Sequence, residues 1–285
     1  LICFTIYILP DLEENKKLSI DWLGTLILTL TAIFLAYGIN QIDSSHFLNS
    51  LISINVLPFL ILFIIFLFIL VKIEKHAKES VIPIHMLHNK EISTACILIL
   101  FWGIVNSISI FIPSLAIISL GYNNQMASLM LIPLVGTNAI AAPIVGKYLY
   151  NIGYKKIMGT GTISLVIGCI LLALFNNNLL IFLFSGILMG YGLVTLVGAP
   201  MRYLVLSETS AGERGTGQAL INMLSSVGQL VGGALIGGLI ASFGGTLYGY
   251  TITILFTAIF AAIAFIFTRK LKNRDAQIAT MKSNM

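Results

Sequence analysis

The stretch ILFIIFLFIL, residues 61–70, contains ten apolar residues in succession and no polar one. A helix of this sequence is hydrophobic on every side, which is typical of a helix surrounded by lipid and not by water. A membrane β-strand would instead alternate polar and apolar residues, and this stretch does not alternate. The stretch therefore predicts a transmembrane α-helix.

The composition of the whole chain extends this prediction. Of its 285 residues, 58% are hydrophobic and only 9% are charged, and the mean hydropathy is +0.98. Soluble proteins carry about 25% charged residues, so a soluble enzyme or a soluble binding domain is excluded. The net charge is +5, but the basic residues are spread over many short segments, so no nucleic-acid partner is expected. The expected partner is the lipid bilayer.

Eight apolar stretches are long enough to cross a bilayer, which takes about 20 residues. They are 21–41, 50–71, 93–118, 126–147, 157–175, 179–202, 216–241 and 247–268. The apolar residues 1–9 are too few for a span and are interpreted as the end of a preceding helix, so the chain is expected to be a fragment. The predicted fold class is an all-α, polytopic membrane helix bundle. Its expected parts are a helix end and cytoplasmic linker (1–20), two inserted transmembrane helices (21–71), a cytoplasmic loop (72–92), a six-helix bundle (93–268) and a cytoplasmic tail (269–285).

The basic residues predict the orientation of the spans. All 16 Lys and Arg residues fall on one side of the predicted membrane. The segments on that side are 10–20, 72–92, 147–156, 202–215 and 269–285. Because Lys and Arg are enriched in cytoplasmic segments, that side is assigned to the cytoplasm. We expect a multi-pass protein of the cell (cytoplasmic) membrane with both visible ends in the cytoplasm.

Polar side chains near the centres of the predicted spans are the candidates for a functional site. No Asp, Glu, Lys, Arg or His lies near a predicted midplane, so this sequence is expected to lack a relay of titratable groups. The candidates for lining a substrate cavity are Trp102, Asn106, Asn138, Tyr191, Asn222 and Gln229. The alternative is that such groups only join helices, at about 0.6–2 kcal/mol each.

The spacing of these residues predicts which of them meet. Two spans carry polar residues at i, i+4, i+7 and i+11, a spacing that places side chains on one helix face. These stripes are Trp102, Asn106, Ser109 and Pro113, then Gln218, Asn222, Ser225 and Gln229. Four candidates on different spans lie about ten residues from a span end, hence at similar depth; they are Asn106, Asn138, Tyr191 and Gln229. One shared cavity is expected, with the apolar spans 157–175 and 247–268 as supports that face lipid.

Glycines in the span 216–241 favour close helix packing. Gly228, Gly232, Gly233 and Gly237 form overlapping small-xxx-small steps, which let two helix backbones approach. Nothing in the sequence supports catalysis, and no cofactor is expected. His85 and His88 are spaced i, i+3, but they lie in a basic interfacial segment, so no metal site is expected there either.

One loop carries a resemblance to a known family. The stretch GKYLYNIGYKK at 146–156 resembles the cytoplasmic signature G-x-L-x-D-R-x-G-R-K of the major facilitator superfamily, in the copy between core helices eight and nine. Gly146, Gly153 and Lys155 match, whereas the Asp of the signature falls on Tyr150 and its Arg on Asn151. The segment IDWLG at 20–24 is similar to the start of the inserted helix pair in the fourteen-helix drug–proton antiporters, and PIHML at 83–87 resembles their approach to core helix seven.

This resemblance implies both a fold and a function. The fold is a C-terminal six-helix half preceded by two linker helices, in which two triplets of spans form inverted repeats. The function implied is that of a secondary active transporter: a proton-coupled multidrug or amphipathic-compound exporter working by alternating access. Its partners would be a small-molecule substrate and protons, the protons acting through an N-terminal half outside this sequence. The alternatives are a permease for another small solute and a non-transporting membrane scaffold or sensor.

Overall fold

The computed structural model describes residues 22–41, 50, 52–74, 86 and 88–283, and every regular element in these ranges is a helix. Within these ranges, twelve α-helices with given bounds follow one another in chain order, with short 3₁₀ segments at Ser107–Phe111 and Ala211–Glu213. They are α1 Trp22–Asn40, α2 Leu57–Glu74, α3 Lys90–Asn106, α4 Ile112–Leu120, α5 Asn124–Leu129, α6 Ile132–Ile152, α7 Tyr154–Leu174, α8 Leu179–Val197, α9 Ala199–Glu208, α10 Arg214–Ser242, α11 Leu247–Arg269 and α12 Arg274–Ser283.

Six stretches of helix are long and apolar enough to cross a membrane, which confirms the predicted class of polytopic helix bundle. They are Lys90–Leu120, Asn124–Ile152, Tyr154–Leu174, Leu179–Glu208, Arg214–Ser242 and Leu247–Arg269. Each contains the centre of one predicted span. In the described part of the chain, the fold therefore contains a bundle of six helices long enough to span a membrane, joined by short connections.

The pair α1 and α2 occupies the region of the two predicted inserted spans. These helices are apolar but shorter, with 19 and 18 residues. They pack on each other through two tilted aromatic pairs, Phe34 with Phe66 and Tyr37 with Phe59. Their crossing of a membrane stays a prediction. The expected helix end and linker at 1–20, and most of the predicted loop 72–92 with His85, lie outside the described residues.

Polar side chains mark where the spanning helices begin. The Asn89 side chain accepts a hydrogen bond from the Glu91 amide at 2.9 Å, and the Asn178 side chain accepts one from the Leu180 amide at 3.0 Å. The Thr246 hydroxyl accepts one from the Gly249 amide at 3.3 Å. Each satisfies an N–H that the first helical turn leaves without a partner, so these helix starts follow from local sequence.

The glycines of α10 pack against α3 and the 3₁₀ segment that follows it. A Cβ on Gly228 would lie 2.8 Å from the Leu100 carbonyl oxygen, and one on Gly232 would lie 2.8 Å from that of Ile104. A Cβ on Gly237 would approach the Phe111 ring to 3.3 Å. Gly233 departs from the packing prediction, because a Cβ there would meet no atom within 4 Å. It follows Gly232 by about 100° around the helix and so faces away from α3.

The span 157–175, expected to face lipid, is half buried, and its exposed face is apolar, with Ile163, Ile167, Ile170 and Leu174. Helix α7 packs against both α8 and α11. Half of the residues in its apolar stretch are buried, compared with 17% in the span that contains α6. Glycines make this packing close: a Cβ on Gly168 would lie 2.9 Å from Met189 Cγ, and one on Gly192 would lie 2.6 Å from Leu165 Cβ. Thr162 and Thr257, on α7 and α11, are both fully buried.

The predicted loop 147–156 is almost entirely helical. Helix α6 continues to Ile152 and α7 begins at Tyr154, so Gly153 alone separates them. Its φ of +84° is a backbone conformation that side chains disfavour. A Cβ on Gly153 would also approach Gln277 Oε1 to 3.0 Å. The resemblance-based match at Gly153 therefore has a physical reason in this chain.

Candidate functional site

A small polar cavity lies where α3, α6, α8, α9 and α10 meet. Its volume is about 260 Å³. Three of the predicted candidates, Trp102, Asn138 and Asn222, line it together. The remaining lining residues are Leu193, Val194, Val197, Gly198, Arg202, Ile221 and Ser225. Whether any of them contacts a substrate stays a prediction.

The indole of Trp102 is held in place by a neighbouring helix. Its Nε1–H donates a hydrogen bond to the Leu193 carbonyl at 2.9 Å, across from α3 to α8. This bond uses the polar edge of the ring, so the rest of the indole contributes apolar surface. The amides of Asn138 and Asn222 each offer donors and an acceptor. The cavity thus combines an oriented aromatic ring with two neutral hydrogen-bonding groups.

The spanning helix Leu179–Glu208 is broken at this cavity. The break falls at Gly198, between α8 and α9, and Pro200 lies in the first turn of α9. A Cβ on Gly198 would clash with the Val194 carbonyl, so the break requires glycine. Helix breaks in the membrane occur where the backbone lines a cavity. The position of the break supports a functional interpretation of the cavity.

The structure does not bring the other three candidates into this cavity. The Tyr191 hydroxyl lies 3.2 Å from Thr160 Oγ1 and pairs with it, so Tyr191 joins α8 to α7. Gln229 lines a separate groove of about 790 Å³ between α1 and α10, as does Gly233. Asn106 lines neither space. Their roles in substrate binding stay predictions, and the single cavity expected for all of them is not observed.

The 3₁₀ segment Ser107–Phe111 explains why the first polar stripe fails. A 3₁₀ helix advances about 120° per residue and an α-helix about 100°, so a stripe at α-helical spacing loses its phase there. The Ser107 hydroxyl donates to the Gln229 carbonyl at 2.8 Å, and that of Ser109 donates to the Asn106 carbonyl at 2.6 Å. The stripe predicted from Trp102 to Pro113 therefore does not form one face.

Arg202 is a lining residue that the sequence analysis assigned to the cytoplasmic segment 202–215. The structure extends α9 to Glu208, and Arg202 is the fourth of its ten residues. The signal in the sequence was Pro200, which is compatible with the first turn of a new helix as well as with a helix end.

A second polar group, the Glu91–Glu208 cluster, lies at the end of the bundle that carries the basic residues. The Tyr154 hydroxyl donates to Glu91 Oε2 at 3.0 Å, and the Lys272 amide donates to Glu91 Oε1 at 3.0 Å. Lys272 Nζ donates to Glu208 Oε1 at 2.6 Å, and Asn89 Nδ2 to Glu208 Oε2 at 2.9 Å. This cluster joins α3, α7 and α9 to the turn before α12.

The signature-loop residues contribute little to that cluster directly. Tyr150, at the position of the signature's Asp, is 61% exposed, and Asn151 is exposed as well. Gly146 faces open space, and Lys155 is half-buried in the first turn of α7. The salt bridge near this loop is instead supplied by Lys272 and Glu208.

A bundle of membrane-spanning helices, one of them broken beside a polar cavity, defines the class of multi-pass helical membrane proteins to which transporters belong. The sequence profile of the Major Facilitator Superfamily matches residues 94–282, which is more than half of the chain. The chain belongs to this superfamily. Family membership points to a transporter and not to an enzyme.

Three curated relatives agree with this assignment. The chain is 25% identical over 241 residues to "Multidrug resistance protein 3" of Bacillus subtilis, which covers 82% of the chain and 46% of the relative. It is 25% identical over 247 residues to "Uncharacterized MFS-type transporter YfiU" of the same organism, covering 85% and 47%. It is 19% identical over 217 residues to "Probable transport protein HsrA" of Haemophilus influenzae, covering 75% and 46%. The chain spans about half the length of the curated relatives it matches.

Proposed function

We propose that this chain belongs to a secondary active transporter that exports amphipathic organic compounds in exchange for protons. Alternating access would move a central site from one side of the membrane to the other. Support comes from the superfamily assignment and from the 25% identity to a protein named for multidrug resistance. The resemblance to fourteen-helix drug–proton antiporters points in the same direction.

The observation that carries the proposal is the polar cavity beside the helix break at Gly198. Its lining by Trp102, Asn138 and Asn222 combines apolar and hydrogen-bonding surface, which suits an amphipathic ligand. Its volume of about 260 Å³ is less than drug-sized ligands need, which is about 300–1,000 Å³. We infer that it forms one wall of a larger site in the full-length protein.

The proposed coupling acid lies outside this cavity wall. Among the described residues that line the cavity, none is Asp or Glu. We therefore assign the proton-coupling carboxylate to the part of the full-length protein outside this sequence. The proposed location is the cytoplasmic membrane, with the basic segments inside, since all 16 Lys and Arg residues fall in predicted cytoplasmic segments.

The test is efflux from a bacterium that lacks its own exporters and carries the full-length gene. We expect faster efflux of the neutral amphipathic dye Nile red than in cells with an empty vector, and loss of the difference on adding a protonophore. The variant Asn138→Leu should slow efflux about fivefold or more, because it removes the hydrogen-bonding group without harming insertion. Asn151→Leu is the matched control, on the same helix but exposed and outside the cavity.

The alternatives predict different results. Efflux equal to the empty vector would overturn the exporter proposal, and protein-dependent uptake of another solute would establish a permease. Efflux that persists with the protonophore would contradict proton coupling but would leave the proposed export function standing. If Asn138→Leu and Asn151→Leu transport equally well, the cavity is not the site.

A further inference from the structure

Arg202 is the only charged residue among the described residues that line the cavity. It is exposed, and within the described part of the chain its guanidinium has no carboxylate in ion-pair contact. The salt bridge nearby, between Lys272 and Glu208, satisfies a different cation. A cation at a cavity wall without an acidic partner among the described residues is available to a ligand.

Arg202 precedes the end of its helix by more than one turn. Helix α9 continues for six residues beyond it, to Glu208, whose side chain is only 3% exposed. At 1.5 Å per residue, Arg202 lies about 9 Å inside the end of the helix. Arg202 therefore lies between the helix break at Gly198 and the buried carboxylate at the end of α9.

The chemistry of a guanidinium selects for a particular kind of ligand. Its planar donors match the two oxygens of a carboxylate, and such charge-assisted pairs are stronger than neutral hydrogen bonds. The neighbouring groups, Asn138 and Asn222, are neutral and can donate further hydrogen bonds to an anion. The apolar wall from Trp102 and Val197 suits the uncharged body of the same molecule.

We propose that the cavity binds the acidic end of an amphipathic anion, with Arg202 as the counter-ion for a carboxylate. This inference rests on the proposed function, because it names the substrate class of the same site. The cavity should bind amphipathic acids more tightly than their neutral analogues, and it should bind permanent cations weakly.

The experiment measures binding to the purified full-length protein by equilibrium dialysis, with one uncharged detergent on both sides. Three probes share an apolar body and differ in charge: 1-naphthaleneacetate, 1-naphthaleneethanol and 1-naphthaleneethylamine. The variants are Arg202→Gln and Arg202→Lys. Arg214→Gln is the matched control, since Arg214 is exposed at the start of α10 and does not line the cavity.

The wild-type protein should bind the acid about tenfold more tightly than the alcohol, and the amine most weakly. Arg202→Gln should remove this preference by weakening the binding of the acid more than that of the alcohol, and Arg202→Lys should keep part of it. Arg214→Gln should match the wild type.

Three results would overturn the inference. They are equal affinity for the acid and the alcohol, an equal loss of all three probes in Arg202→Gln, and the same loss of preference in Arg214→Gln. The last would indicate a general surface charge and no site. If acid binding depends on Arg202 but the protein exports nothing, the proposed function is refuted and the inference about Arg202 stands. Nile red export with no acid preference would refute only the inference.

Discussion

Lys272 Nζ lies 2.6 Å from Glu208 Oε1, and the same residue's backbone amide donates to Glu91 Oε1 at 3.0 Å. One residue in the turn before α12 therefore contacts two carboxylates from two different helices. Glu91 is 6% exposed, and the Glu208 side chain is 3% exposed. Because buried carboxylates are costly unless they are paired and hydrogen-bonded, the turn stabilises the ends of α3 and α9.

Replacing Lys272 with Ala should destabilise the full-length protein by about 1–3 kcal/mol, because it leaves the buried Glu208 without its cation. The value is below that of a fully buried pair, since the Lys272 side chain is 32% exposed. The thermal unfolding midpoint in detergent measures the loss. Lys270→Ala is the control, because Lys270 is exposed and contacts only the Phe267 ring among the described aromatic residues. Equal midpoints for the two variants would contradict a stabilising role for the salt bridge.

Tyr154→Phe should cost about 1–3 kcal/mol, because it removes a hydrogen-bond donor from the buried Glu91 carboxylate and adds none. Tyr154 is fully buried, and its hydroxyl contacts Glu91 Oε2 at 3.0 Å. Tyr150→Phe makes the same chemical change at a side chain that is 61% exposed, and it should leave the unfolding midpoint unchanged. A loss of stability in both variants would mean that the effect does not depend on Glu91.

Two neighbouring glycines on α10 should respond differently to the same substitution. Gly232→Ala places a Cβ within 2.8 Å of the Ile104 carbonyl oxygen and of Ser107 Oγ, so α3 and α10 must separate, at about 1–3 kcal/mol. Gly233→Ala enters open space and should be neutral or slightly stabilising, since Ala favours helix. Thermal unfolding of both variants distinguishes them, and equal losses would refute the packing role of Gly232.

Cysteine labelling should test the predicted orientation. Reagents that do not cross the membrane should label Asn124→Cys and Asn177→Cys from outside intact cells, and should reach Lys156→Cys and Arg214→Cys only after permeabilisation. All four positions are exposed, so access depends on the side of the membrane and not on burial. Labelling of Lys156→Cys in intact cells would reverse the assignment.

The sequence located the six spans because the apolar length that a bilayer requires is visible in composition. It did not locate their ends. The span predicted to stop at residue 147 continues as helix to Ile152, because hydropathy marks the edge of the lipid and not the last hydrogen-bonded turn. The match of Gly153 to the signature came from a family resemblance, and only the structure shows its φ of +84°.

The candidate site was predicted less well, for geometric reasons. Trp102, Asn138 and Asn222 were chosen as polar residues near span centres, and they do share a cavity. Asn106 and Gln229 were chosen on the same ground, but they do not line this cavity, because depth in a span does not determine which neighbouring helices surround a side chain. Arg202 was missed because hydropathy counted it as the end of a span. Contacts across 181 residues, such as Lys272 with Glu91, leave no periodic trace in a sequence.

That long separation has a consequence for how the protein is made. The ribosome adds Lys272 181 residues after Glu91, a delay of about 9–36 s at 5–20 residues per second. During that interval, the Glu91 carboxylate lacks the backbone donor that the finished bundle gives it. The end of the bundle is thus completed late in biogenesis, and a chain that stops before residue 272 leaves two acids at the helix ends without their shared partner.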